Sequence, residues 1–220
     1  LDYAVERKAG RTPSERLYIK RMKELRDVAV LLLVDLSRST STAVAGSSSK
    51  VIDVEKEAIV LFSQALEAVG DTYAVAGFSG TGRLGVDYFR IKDFEQPMSH
   101  AVHQRIAAMT PRRNTRMGAA IRHAASQFAD VQSKIRLLII LSDGFPNDLE
   151  YKREYAVEDT RKAISELRST NIYVHAITIN ISLVEESKLD DLYGDIHHNV
   201  ITEITELPDK LWRIYRALTH

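Results

Sequence analysis

Val28-Ala29-Val30-Leu31-Leu32-Leu33-Val34-Asp35-Leu36-Ser37-Arg38-Ser39 is an apolar run that ends in a cluster of oxygen-bearing side chains. Seven successive aliphatic residues leave no polar face, so the run reads as a strand covered on both sides in the middle of a parallel sheet. Asp35 leaves that strand at its carboxyl end. Open α/β sheets place ligand sites there, where the strand order reverses.

Outward from this strand, the chain alternates between two periodicities. Thr40 to Lys50 is rich in Ser, Ala and Gly without apolar spacing, and is expected to be a mobile loop beside the site. Val51, Val54, Ala58, Leu61, Phe62, Ala65 and Val69 then recur at helical spacing until Gly70 closes the pattern. Tyr73 to Phe78 and Val86 to Ile91 read as strands, and the short glycine-rich link between them makes the second an antiparallel edge. That link, Ser79 to Gly85, spells G-x-G-x-x-G. A dinucleotide fingerprint needs a helix after its last glycine, whereas strand-type residues follow here, so it is read as a hairpin turn. Met98 to Met109 reads as a short helix whose His100 and His103 lack a third ligand and are expected on an exposed polar face.

Arg116 to Asp130 is the next expected helix, with Gly118, Ala119 and Ala120 small enough for close approach to the sheet or a neighbouring loop. Ile135 to Leu141 is a second fully apolar strand, ending in Ser142-Asp143-Gly144. A charged helix within Tyr151 to Arg168 carries Ala156, Thr160, Ala163, Ile164 and Leu167 on one side. Strand Ile172 to Ile179, helix Glu185 to Tyr193, strand His198 to Thr202 and an amphipathic helix Pro208 to Leu218 complete the order. This alternation specifies a doubly wound α/β domain: a mostly parallel central sheet with one antiparallel edge strand and helices on both faces.

At 220 residues and 45% hydrophobic content the chain can bury one sizeable core. Thirty basic and thirty acidic residues cancel, which gives no basis for binding nucleic acid or a membrane surface. No apolar run approaches the roughly 20 residues that span a bilayer, so membrane insertion is not expected. With no cysteine there is neither a disulfide framework nor a thiolate metal site, and a reducing, cytoplasmic setting is the expectation. The chain begins at Leu1, which suggests a piece of a longer protein. Residues 1–27 form a basic amino-terminal arm, with a helix expected over Pro13 to Arg26 behind Thr12 as its cap. The domain proper is expected over residues 28–220.

In such a fold Asp35, Ser37, Ser39, Thr115 and Asp143 all reach the carboxyl edge of the sheet. Five oxygen donors without nitrogen or sulfur suit a hard cation: Mg²⁺ foremost, with Mn²⁺ or Ca²⁺ as possible substitutes. Mg²⁺ keeps several waters rather than being fully caged, which leaves a coordination position for a carboxylate from another protein.

These residues also carry a resemblance. Asp35-Leu36-Ser37-Arg38-Ser39 resembles the D-x-S-x-S signature of von Willebrand factor A domains. Thr115 before Gly118-Ala119-Ala120 resembles their second motif, and Ser142-Asp143-Gly144 their third. The resemblance implies a metal-ion-dependent adhesion site: the serines and threonine coordinate Mg²⁺ directly, the aspartates directly or through water, and an Asp or Glu of a partner supplies the remaining bond. Arg112-Arg113-Asn114 stands where the family often has glycines. Arg38, Arg112 and Arg113 are therefore candidates to favour an acidic partner surface.

Asp143 to Asp148, Tyr155 to Arg161, and the ending Leu207-Pro208 with Tyr215 to Thr219 resemble more closely the carboxy-terminal domains of nitric oxide reductase activation proteins and Rubisco activation proteins. That resemblance implies a target-recognition domain of a longer chain working with a MoxR-type AAA+ ATPase. Two other readings compete. One is a metal-assisted phosphohydrolase with Asp35 as nucleophile or base; it lacks a histidine acid, a lysine beside Asp35 and a P-loop. The other is a scaffold without metal, for which the complete five-residue set would have no purpose. A non-enzymatic interaction module is the expectation.

Overall fold

The computed structural model describes residues 27–44, 48–82, 85–148, 153–179, 189–194 and 196–219. The helix expected over Pro13 to Arg26 lies outside them, as does the first part of the one expected over Glu185 to Tyr193.

Strand β1, Val28–Asp35, is buried along its whole length, as an aliphatic run without a polar face requires. It pairs in parallel with β2, Thr72–Gly80, on one side and with β4, Ile135–Ser142, on the other. β3, Val86–Lys92, closes one edge antiparallel to β2, while β5, Ile172–Ile179, and β6, His198–Ile201, extend the other edge in parallel. The order is β3-β2-β1-β4-β5-β6. The expected mostly parallel sheet with one antiparallel edge is thus observed.

Alternate residues of β1 enter two cores, because successive side chains of a strand point to opposite faces. Val28, Val30, Leu32 and Val34 pack under α1, Val51–Val69, α2, His100–Ala107, and the closing helix α6, Leu207–Thr219. Ala29, Leu31 and Leu33 pack under α3, Met117–Ser126, α4, Arg153–Ser169, and α5, Leu189–Tyr193. Tyr215 of α6 meets Phe62 of α1 edge-to-face at 5.5 Å, and its hydroxyl donates to the Asp71 carboxylate.

Local details differ from the expected pattern, the helix expected over Arg116 to Asp130 ending at Ser126 among them. Leu61, assigned to the buried face of α1, is 45% exposed, whereas Ile52, Glu55, Ile59 and Leu66 are buried. The buried stripe is displaced because α1 is covered by α6 as well as by the sheet. Of the Thr40 to Lys50 segment, residues 45–47 lie outside the described residues; its start belongs to a 3₁₀ turn, Arg38–Ser41, and Ala43 bridges Lys50. α2 begins at His100 because the Ser99 hydroxyl accepts from the Val102 amide, and both histidines are exposed as expected.

Of the small residues of α3, Gly118 serves a neighbouring helix, Ala120 packs in the core beneath it and Ala119 is exposed. A Cβ on Gly118 would strike the Asp159 carboxylate of α4 and come within 3.0 Å of the Asp159 carbonyl oxygen. In an exposed helix, Gly→Ala gains up to ~1 kcal/mol from propensity. Here overpacking at about 1–3 kcal/mol outweighs that gain. Gly118→Ala is therefore expected to lower Tm by several degrees, which a thermal melt checks; an unchanged or raised Tm would refute the close approach.

Candidate functional site

Because β1 leads to β2 on one side and lies beside β4 on the other, the strand order reverses between β1 and β4. Asp35 ends β1 and Ser142 ends β4, so motifs far apart in sequence meet at this crevice. The Ser37 amide donates to Asp35 Oδ1 at 2.8 Å and bends the chain over the strand end. The 3₁₀ turn that follows is closed by the Thr40 hydroxyl donating to the Ser37 carbonyl at 2.8 Å.

The loop carrying Thr115 is fastened to both neighbours. The Arg112 amide donates to the Leu36 carbonyl at 2.7 Å, and the Arg38 amide to the Arg113 carbonyl at 2.9 Å. Thr115 and Asn147 exchange backbone hydrogen bonds of 3.0 and 2.9 Å, and the Gly80 amide donates to the Asn114 carbonyl at 2.6 Å. These bonds set the position of the Thr115 hydroxyl, which donates to Asp35 Oδ2 at 3.0 Å.

All five expected residues come together. The Ser37 and Ser39 hydroxyls lie 2.8 Å apart, and Ser39 donates to Asp143 Oδ1 at 2.8 Å. Ser142 Oγ, a further member, lies 3.3 Å from Asp35 Oδ2 and donates to the Gly144 carbonyl at 2.9 Å. Asp35 is fully buried, Ser37, Thr115 and Asp143 nearly so, and Ser39 is exposed, which leaves the cluster open on one side.

The donor set fits a small hard cation. Adjacent oxygens of an octahedron with metal–oxygen distances of about 2.1 Å lie about 3 Å apart. The oxygen pairs Ser37–Ser39, Ser39–Asp143 and Thr115–Asp35 are spaced at 2.8, 2.8 and 3.0 Å. Among the described residues no three His, Asp or Glu side chains cluster closely enough to hold a metal by themselves, so the hydroxyls are required members of such a set. Burial, then the Asp143 charge, pushes the Asp35 carboxyl up from its ordinary value to about 7, against the opposing Ser37 amide and Thr115 hydroxyl. Burial also raises Asp143, opposed first by the Ser39 hydroxyl. A nearby divalent charge acts in the opposite direction on both.

Arg38 and Arg113 are exposed beside the cluster; Arg112 is exposed too, with its guanidinium carbon 5.0 Å from the Phe89 ring centroid. Two residues escaped the sequence reading. Glu55 of α1 is fully buried, and neither carboxylate oxygen has a hydrogen-bond partner among the described residues. Its placement inside the helical stripe one turn after Val51 was the available signal. Asp148, read as part of a turn, is buried and accepts from the Gly82 amide at 2.8 Å, the Asn114 side-chain amide at 2.8 Å and Arg116 Nε at 3.2 Å. Gly82 thus serves a carboxylate clamp, in keeping with the rejection of a nucleotide fingerprint; its φ of +69° suits glycine in this turn.

Comparisons with known proteins agree with this architecture. The chain is 41% identical over 181 residues to Protein NorD of Stutzerimonas stutzeri, covering 82% of this chain and 29% of that protein. It is 36% identical over 211 residues to Protein NorD of Brucella melitensis, covering 96% of this chain and 33% of that protein. The chain therefore spans about a third of the length of the curated relatives it matches. The pilus adhesin SpaC of Lactobacillus rhamnosus GG shares the fold, with a TM-score of 0.70 at 13% identity over 89% of this chain and 31% of that one. The family described as von Willebrand factor type A domain matches residues 29–210, from the second residue of β1 into α6. With the sheet order and the three motifs at its carboxyl edge already in place, that match shows that the chain belongs to the von Willebrand factor type A domain family.

Proposed function

We propose that this chain is a Mg²⁺-dependent protein-interaction module that recognises an acidic residue of a target protein through the metal. The carrying observation is the convergence of Asp35, Ser37, Ser39, Thr115 and Asp143 on an open edge, with oxygen pairs 2.8 to 3.0 Å apart. These residues would hold the cation. When bound, it supplies a Lewis-acidic position for a partner's Asp or Glu carboxylate. Arg38 and Arg113, exposed on the rim, would steer an acidic surface toward it.

The similarity to NorD proteins supports a place in a longer activation protein that acts in the cytoplasm on an enzyme complex of the nitric oxide reductase type. The Rubisco-activating group is the other resemblance. In this reading a MoxR-type AAA+ ATPase supplies the remodelling work and this domain chooses the target. Among the described residues no helix is long and apolar enough to cross a membrane.

The test offers purified nitric oxide reductase and purified Rubisco to the immobilised chain in Mg²⁺ and in EDTA. Capture of one of them is expected in Mg²⁺ alone, falling at least ~10-fold with Asp143→Ala while circular dichroism stays unchanged. Capture that survives EDTA would overturn the metal-bridged mechanism. Turnover of a generic phosphate ester abolished by Asp35→Asn would replace it with hydrolysis.

A further inference from the structure

Glu55 is the buried polar group that the reading above leaves unused. It lies on α1, whose first amide, Val51 N–H, donates at 3.0 Å to the Thr42 carbonyl at the end of the Ser37-to-Thr42 turn. That bond holds the first turns of α1 against the cation-site loop. Glu55 projects inward with Ile52 and Ile59, and is fully buried. The adjacent Lys56 turns away and donates to the Ala107 carbonyl at 2.9 Å. No hydroxyl, amide or cation among the described residues reaches either Glu55 oxygen.

A carboxylate without partners in a closed interior is strongly unfavourable, so a purely structural role would be better served by leucine or glutamine. Glu55 sits one turn after Val51, which is bonded to the Ser37-to-Thr42 turn, and the charges acting on it are those of Asp143, then Asp35; both observations put it on the side of the five-oxygen cluster. It is not an inner ligand alongside those aspartates, since no three carboxylates cluster closely enough to hold a metal among the described residues. What remains is the shell of water that Mg²⁺ retains in an incompletely caged site.

We propose that Glu55 is the outer acceptor of the cation site: its carboxylate takes hydrogen bonds from waters bound to the cation held by Asp35, Ser37, Ser39, Thr115 and Asp143. It would thereby add a third negative charge beside the cluster and orient the waters that the cation retains, leaving the open side of the cluster to the partner. This inference rests on the Mg²⁺ reading of that cluster.

The experiment is calorimetric titration of MgCl₂ into wild-type chain and Glu55→Gln, with thermal melts of both in EDTA. Glu55→Gln keeps the shape and removes the charge. A 10-fold or greater loss of Mg²⁺ affinity is expected, with a melting temperature in EDTA at least as high as wild type. Glu55→Met, of similar volume, carries the same expectation if the amide variant does not fold. Equal Mg²⁺ affinity in wild type and variant overturns the role of Glu55 and leaves the five-oxygen site standing. Absence of Mg²⁺ binding to the wild type overturns both. An unchanged affinity with a lowered melting temperature in EDTA assigns Glu55 to packing alone.

Discussion

In EDTA at pH 8, Asp35→Asn is expected to be more stable than the wild type by at most about 4 kcal/mol, and Mg²⁺ is expected to narrow that gap by stabilising the wild type alone. The Asp35 carboxyl is held near 7 by burial and by Asp143, against an ordinary value of 3.8. Between those values the folded chain binds a proton that the unfolded chain has released. Its contribution is therefore fully present below about pH 4 and is lost as pH rises through 7. Asparagine has no such proton to lose. It also fits the existing bonds: its oxygen can accept from the Ser37 amide, and its amide can donate to Thr115 and Ser142 once the Thr115 hydroxyl rotates and the Ser142 proton stays on Gly144.

Denaturant titrations at pH 5 and pH 8 in EDTA check the sign. The buried His175, whose ring is pushed down by desolvation, opposes the trend in acid, so the wild-type-minus-variant difference isolates Asp35. Mg²⁺ at about 100 times its dissociation constant should then stabilise the wild type by about 2.7 kcal/mol, or roughly 5–10 °C, and the variant by nothing measurable. A wild-type Tm unmoved by saturating Mg²⁺ would sink the cation site.

Asp148→Ala is expected to cost about 3 kcal/mol, or roughly 10 °C in Tm, although Asp148 is not in the five-oxygen set. Its carboxylate joins the β2–β3 turn through Gly82, the Thr115 loop through Asn114, and the start of α3 through Arg116. The Asp148 side chain is wholly buried and that of Arg116 is 17% exposed, so removing the acid takes a hydrogen-bond acceptor from a mostly desolvated guanidinium and from an amide at once. A surface ion pair would cost ~1 kcal/mol or less, which makes the magnitude itself the discriminating observation. The loosened Thr115 should also weaken the Mg²⁺-induced shift. Differential scanning calorimetry with and without Mg²⁺ reads both effects, and a Tm loss under about 2 °C would show that the clamp contributes little.

Much of this site is legible in the sequence alone. The donors are short-range signatures: an aliphatic strand followed at once by Asp35, Ser37 and Ser39, and a second such strand followed by Asp143. The antiparallel edge followed from the shortness of the Ser79-to-Gly85 link, and the buried side of α4 from Ala156, Thr160, Ala163, Ile164 and Leu167, all of which are buried. Where periodicity was the guide, the outcome depended on what covered the element. Leu61 fits the helical stripe but faces outward, since α1 packs against both α6 and the sheet.

Local sequence therefore determined which residues sit at the carboxyl ends of β1 and β4, because strand hydrophobicity and strand ends are properties of consecutive residues. Tertiary structure alone decided how those ends are joined. Asp148 becomes a clamp only when three distant segments meet at its carboxylate. Gly118 is required by a helix that passes over it, and Glu55 becomes a buried carboxylate beside the cluster only because α1 is pressed against the turn it follows. The physical reason is the same in each case: burial and charge are set by neighbours in space, and those neighbours come from other segments of the chain.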